Sequence, residues 1–212
     1  MDSKAKIALS LLQINAIQLR PQNPFTWASG IKSPIYCDNR IALSYPSVRR
    51  LILDIFLEKL RLSEQQVDVI AGVATAGIPW ASFIALESGL PLIYVRSEAK
   101  SHGRQNSVEG KIEPGQKVLL VEDLISTGGS SLKALHNLRE QQADVTALVA
   151  IFQYGFAEAL DSFRQAHCPF STLTDYPTLI SQAYDEGLIH ETDLQLLDTW
   201  RINPHQWPQH QD

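Results

Sequence analysis

The chain has 212 residues, and 18 lysines and arginines against 23 aspartates and glutamates leave a formal net charge of −5. A hydrophobic content of 44% and a charged content of 19% are those of a chain that buries a core, which excludes a disordered polymer. The acidic balance argues against a broad nucleic-acid-binding face, and no run approaches 18 consecutive apolar residues, so no membrane-spanning helix is expected.

In chain order, Ser3 to Leu19 reads as an amphipathic helix rather than a signal peptide, with Ile7, Leu11, Leu12 and Ile14 near helical spacing and Pro21 and Pro24 as its stop. Phe25 to Cys37 holds two short β-prone runs about a Ser29-Gly30 turn, which predicts a hairpin outside the regular pattern, a small lobe or hood. Tyr45 to Leu60 reads as a second helix with Pro46 near its start. Strands are then predicted over Val67–Val73, Leu92–Val95, Val118–Val121 and Val145–Phe152. Helices are predicted over Ile78–Glu87 and Ser130–Glu140. Continuous apolar strands alternating with helices imply an α/β chain with a parallel sheet covered on both faces. Arg96 to Glu113 is a polar stretch of about 18 residues between two strands, the kind of long loop that often serves as a lid. Pro177 to Trp200 predicts two more helices around Gly187, and Pro204 to Asp212 reads as a frayed tail. Cys37 and Cys168 lack metal-type spacing and point to a reducing, cytoplasmic setting rather than a disulfide framework.

The segment richest in chemistry is Val118-Leu119-Leu120-Val121-Glu122-Asp123-Leu124-Ile125-Ser126-Thr127-Gly128-Gly129-Ser130. An apolar strand ends in two carboxylates, followed by a hydroxyl- and glycine-rich turn and a helix. Ligands of open α/β sheets bind beyond the carboxyl ends of the strands. Backbone N–H groups, the Ser126, Thr127 and Ser130 hydroxyls and a helix N-terminus make a monophosphate cradle. Glu122 and Asp123 can accept hydrogen bonds from the vicinal hydroxyls of a ribose. Taken as bare spacing, the same segment is also an ordinary strand-to-helix turn with two solvated acids. Neither a Walker A loop nor a dinucleotide fingerprint is present.

This segment resembles the phosphoribosyl-diphosphate (PRPP) motif of type I phosphoribosyltransferases. Phe25 to Tyr36, Gly72-Val73-Ala74-Thr75-Ala76-Gly77-Ile78-Pro79, Arg96 to Gly103, Asn106 to Gly110 and Leu173-Thr174-Asp175-Tyr176 extend the resemblance to the orotate phosphoribosyltransferases of the branch common in Gram-positive bacteria. The resemblance implies the type I fold, a central, mainly parallel sheet flanked by helices. It would form a single domain over 1–212, with a hood built from about 1–40 and the C-terminal segment, and a flexible catalytic loop over about 96–113. It also implies Mg²⁺-dependent transfer of 5-phosphoribosyl from PRPP to orotate, giving orotidine 5′-monophosphate and pyrophosphate, in a homodimer that shares its loops. Carried over, Glu122 and Asp123 hold the ribose hydroxyls. Leu124, Ile125, Ser126, Thr127, Gly128, Gly129 and Ser130 make up the rest of the PRPP motif, and Ser126 also lies near orotate. Thr75 belongs to the pyrophosphate loop, with a cis peptide expected near Ala74 and Thr75. Arg96, Lys100 and His102 neutralise the leaving pyrophosphate and, with Asp123, make up the catalytic set. Mg²⁺ is held mainly through PRPP, with Asp123 as the candidate ligand from the protein.

The loop residues Arg96, Lys100 and Arg104 against Glu98 give a local charge of +2 in an acidic chain. Glu98 replaces a lysine usual in this branch, which is expected to weaken pyrophosphate neutralisation. The Gram-negative pattern has lysine where this chain has Ala28, Ala76 and Ser97. It also has an arginine near the position of Gln153-Tyr154-Gly155. For the orotate carboxylate, Lys32 and Arg40 are candidates by position in the hood, and equally surface charges. A phosphoribosyltransferase for another base and a non-catalytic PRPP-sensing regulator are the alternatives.

Overall fold

The computed structural model describes residues 2–27, 30, 32–62, 66–96, 107–204 and 207. Helix α1 (Ser3–Gln13) starts on Asp2, whose carboxylate accepts from the Ala5 N–H at 2.7 Å, and buries Ile7, Ala8, Leu11 and Leu12 on one stripe. It is shorter than the apolar spacing predicts. Asn15 takes a left-handed φ of 57°, which a short amide side chain tolerates, and the chain reverses into strand β1 (Ile17–Leu19).

The hairpin forms where predicted, β2 (Phe25–Thr26) pairing antiparallel with β3 (Lys32–Ser33). Strand β4 (Ile35–Cys37) then pairs antiparallel with β1. A 3₁₀ turn over Asn39–Ser44 leads to α2 (Pro46–Leu62), whose proline occupies the first helical position. There follow β5 (Val69–Val73), α3 (Gly77–Ser88), β6 (Leu92–Val95), β7 (Val108–Glu109), β8 (Lys117–Ile125), α4 (Gly129–Glu140), β9 (Asp144–Gln153), α5 (Ala157–Gln165), β10 (Phe170–Thr172), α6 (Tyr176–Asp185) and α7 (Glu191–Ile202).

The main sheet has the order β10-β9-β8-β5-β6-β7, all pairs parallel except β6 with β7. The antiparallel edge comes from the long segment after Arg96, whose residues 97–106 lie outside the described residues. Period-two alternation sends Leu119 and Val121 of β8 into one core, with α1, α2, α3, α6 and α7. Val118 and Leu120 go into the other, with α4 and α5. Both faces are apolar, so the strand reads as an unbroken hydrophobic run.

The hood and the C-terminal helices close on each other. Trp27 meets the edge of Trp200 at 5.8 Å between ring centroids, Gln22 Nε2 donates to Asp193 Oδ1 at 2.8 Å, and Lys4 pairs with Asp175 at 2.7 Å. Trp207 is buried, and its N–H donates to the Asn203 carbonyl. Trp207 is therefore packed rather than frayed, because the indole is large enough to reward burial; residues 205, 206 and 208–212 of the predicted tail lie outside the described residues. No helix among the described residues is long and apolar enough to cross a membrane.

Candidate active site

Alternation along β8 decides where its two acids point. Glu122 continues the Val118–Leu120 face and turns toward α4. Its Oε2 accepts from the Ser131 hydroxyl at 3.3 Å and more weakly from Ser130 at 3.5 Å, and its Oε1 accepts from the Asp123 N–H at 3.1 Å. Glu122 is 5% exposed. Burial first, and the Asp123 charge second, push its carboxyl up to about 9 from an ordinary 4.5. Near neutral pH the two adjacent acids thus hold one proton between them.

Asp123 continues the other face and turns toward the hood. Asn39, at the start of the 3₁₀ turn, donates its amide to the Asp123 carbonyl at 2.8 Å. The Arg40 guanidinium and the Asp38 carboxylate both act on the Asp123 charge, while burial raises its carboxyl. Arg40 is itself locked to Asp38, Nε to Oδ1 at 2.6 Å and Nη2 to Oδ2 at 2.9 Å. The Cys37 thiol lies alongside and is pushed well up by burial, then by Asp123 and Asp38.

Beyond Ile125 the chain turns through Ser126, Thr127 and Gly128 into α4. Gly128 has a φ of 84°, and a Cβ there would come within 2.8 Å of Phe163 Cε2, so the turn depends on glycine twice over. The first turn of α4 carries Gly129, Ser130 and Ser131. Its N–H groups lack intrahelical partners, and the helix dipole adds positive potential. An anion-accepting end therefore adjoins an acid pair of which Glu122 is buried and Asp123 half-buried.

The β5–α3 turn lies next to this. A Cβ on Gly77 would overlap the Val121 carbonyl oxygen and stand 3.2 Å from Glu122 Cα, so α3 begins in direct contact with β8. The peptide between Ala74 and Thr75 is cis, as the resemblance implies, and Thr75 is exposed. The Ala74 N–H donates to the Val95 carbonyl at 2.8 Å, which ties the turn to the end of β6. Arg96 follows there, with its Nη1 3.5 Å from Glu109 Oε1 of β7.

A family model described as a phosphoribosyl transferase domain matches residues 40–163. The orotate phosphoribosyltransferase of Bacillus caldolyticus is 50% identical over 204 residues, 96% of this chain and 98% of that one. The chain belongs to the orotate phosphoribosyltransferase family. Among solved structures, the orotate phosphoribosyltransferase of Aeropyrum pernix aligns with a TM-score of 0.73 at 29% identity, covering 87% of this chain and 99% of that one. UMP synthase of Leishmania donovani aligns with a TM-score of 0.79 at 26% identity, covering 94% of this chain but 42% of that one. The chain thus spans less than half of that protein's length.

Set against the motif of the orotate phosphoribosyltransferase family, Glu122, Asp123, Leu124, Ile125, Ser126, Thr127, Gly128, Gly129 and Ser130 fall together at one end of the sheet. Thr75 and Arg96 follow the ends of β5 and β6, the next two strands on one side of β8 in sheet order. Arg40 reaches the electrostatic neighbourhood of Asp123. Lys32 instead rests on its own hairpin, Nζ donating to Thr26 Oγ1 at 3.0 Å. Lys100 and His102, with Ala28, Ser97, Glu98 and Arg104, lie outside the described residues. Two polar side chains join the site that motif reading passes over. Ser131 was signalled only by following Ser130 in the first helical turn, and Asn39 by nothing in its local sequence.

Proposed function

We propose that the chain is an orotate phosphoribosyltransferase, a pentosyltransferase that moves the 5-phosphoribosyl group of PRPP to N1 of orotate, releasing pyrophosphate, in pyrimidine (UMP) biosynthesis. The observation that carries this reading is half-identity to a protein of that name across nearly the whole of both chains. The acid pair at the end of β8, beside an anion-accepting helix terminus, supports it from chemistry.

In this reading the N–H groups and hydroxyls of Ser126 to Ser130 bind the 5′-phosphate, and Glu122 and Asp123 accept from the ribose 2′- and 3′-hydroxyls. Glu122, neutral and backed by two serines, orients one hydroxyl without adding a second charge. Transfer passes through a cation-like sugar while negative charge grows on pyrophosphate, which Arg96, Lys100 and His102 neutralise. Orotate itself is the nucleophile, so no side chain attacks. The turn at Thr75 faces the diphosphate, and the segment around 96–113 closes over it and excludes water.

Among the described residues no three His, Cys, Asp or Glu side chains cluster for a metal. One carboxyl turned toward the hood, that of Asp123, beside a phosphate cradle suits Mg²⁺, which takes few protein ligands and keeps substrate phosphates and waters. Asp123 and the substrate would hold the ion, which would stabilise the charge developing on the leaving group. The working form is a cytoplasmic homodimer in which one subunit's loop serves the other's site.

Purified protein given orotate, PRPP and Mg²⁺ should lose orotate absorbance and release pyrophosphate. No turnover at saturating substrates refutes the reading, and turnover with another base alone replaces it. Mixing Lys100→Ala with Asp123→Asn protein should restore activity that neither has alone if the loop is shared. No restoration in mixed dimers refutes the sharing.

A further inference from the structure

The buried stripe of α4 is Ser131, Ala134, Leu135 and Leu138, the i, i+3, i+4, i+7 pattern of a helix face turned to the core. Its first member is the polar one. Ser131 is fully buried, and a hydroxyl in that setting needs a partner. Helix serines commonly find one in their own helix, as Ser82 and Ser88 of α3 do by donating to the Ile78 and Ile84 carbonyls at 2.8 and 2.7 Å. Ser131 instead reaches across to β8. Among the described residues its hydroxyl makes one hydrogen bond, to Glu122 Oε2 at 3.3 Å.

Glu122 has two other donors, and neither replaces this one. The Asp123 N–H holds Oε1, the other oxygen, at 3.1 Å. The Ser130 hydroxyl stands 3.5 Å from Oε2, and Ser130 is exposed and belongs to the turn assigned to the 5′-phosphate. A phosphate in that turn competes for the Ser130 hydroxyl and leaves Ser131 as the donor that fixes Oε2. The terminal torsion of a glutamate is soft, so a carboxyl held at one oxygen rotates, while one held at both keeps its plane.

We propose that Ser131, one place beyond the PRPP motif, is a positioning residue for the phosphoribosyl donor, holding the Glu122 carboxyl in the plane in which it meets a ribose hydroxyl. This rests on the PRPP-binding side of the orotate phosphoribosyltransferase reading above. The bond joins the start of α4, assigned to the phosphate, to the end of β8, assigned to the ribose hydroxyls. The two halves of the donor therefore meet groups whose spacing is set before it arrives.

Ser131→Ala removes one oxygen atom from the stripe. Kd values for PRPP and for pyrophosphate, each with Mg²⁺, are measured by calorimetry on wild type, Ser131→Ala, Glu122→Ala and the double variant, beside orotate turnover by the wild type. Ser131→Ala should raise the Kd for PRPP roughly three- to tenfold, the effect of one lost hydrogen bond. The Kd for pyrophosphate, which carries no ribose hydroxyl, should not change. In the Glu122→Ala background the serine substitution should have no further effect on PRPP, since the residue it acts through is gone. An unchanged Kd for PRPP in Ser131→Ala overturns the proposal, and so does an equal weakening with and without Glu122. Equal losses for PRPP and pyrophosphate overturn it too, because the substitution then loosens the whole site. A wild type that binds PRPP without turning over orotate overturns the orotate reading alone, and a wild type that does not bind PRPP overturns both.

Discussion

Replacing Glu122 by glutamine should stabilise the protein at neutral pH and do nothing at acid pH. In the folded chain the carboxyl is pushed up to about 9, whereas the unfolded chain titrates near 4.5. Between those values the folded state binds a proton that the unfolded state has released, so stability falls as pH rises across the window. At pH 7 the gap from 4.5 corresponds to at most about 3 kcal/mol, taking 1.36 kcal/mol per pKa unit. Glutamine fits the same contacts. Its carbonyl can accept from the Asp123 N–H, and its amide can donate to the Ser131 hydroxyl that now donates to Glu122. Urea unfolding of wild type and Glu122→Gln at pH 5, 7 and 8.5 tests this. The variant's advantage should be small at pH 5 and grow with pH. Parallel pH profiles, or a variant less stable at pH 8.5, would refute a neutral Glu122.

Other substitutions probe other joints. Gly77→Ala puts a methyl into the Val121 carbonyl, where backbone on both sides resists movement. It should cost about 2 kcal/mol or more in denaturant unfolding and lower activity by shifting the acid pair. Glu109→Gln frees Arg96 from its carboxylate at 3.5 Å, so the KM for PRPP should fall two- to fivefold, on the order of one exposed ion pair. A rise would show that Glu109 positions Arg96 rather than competing for it. Asp175→Ala removes the cap of α6, which accepts from the Thr178 N–H at 3.1 Å, and should cost about 1 kcal/mol by the same unfolding assay. Most of that loss is the cap, because half-exposed Lys4 adds little as an ion-pair partner.

Long apolar strands and their helices are plain in the sequence because burial on both faces forces an unbroken run, as in Val118 to Val121. Short elements are not. The strand β10 has three residues, Phe170–Thr172, and β7 has two, too few for a period to show. The helix α5 left a faint trace in Ala159 and Phe163, four apart and both buried, yet its nine residues hold little more. The end of α1 turned on one asparagine in a left-handed conformation, while the apolar spacing ran on through Ile17 and Leu19 into a strand. Propensity and period cannot see that a stripe continues against a different partner.

The candidate site divides along the same line. Its phosphate half is one contiguous stretch, Glu122 to Ser131, because a strand end, a glycine turn and a helix start can only be consecutive residues. Such a half is readable as a motif. The hood side is assembled from Trp27, Cys37, Asn39, Tyr154 and Trp200, and no spacing links them. They meet because two- and three-residue hood strands cannot stand alone. They fold against the C-terminal helices through Trp27 and Trp200, and against β8 through the Asn39 amide on the Asp123 carbonyl. Anything that loosens that seam should weaken recognition of the acceptor base before that of the phosphoribosyl donor. Asn39→Ala should therefore raise the KM for orotate several-fold more than the KM for PRPP, and an equal rise in both would mean that the two halves are not separately built.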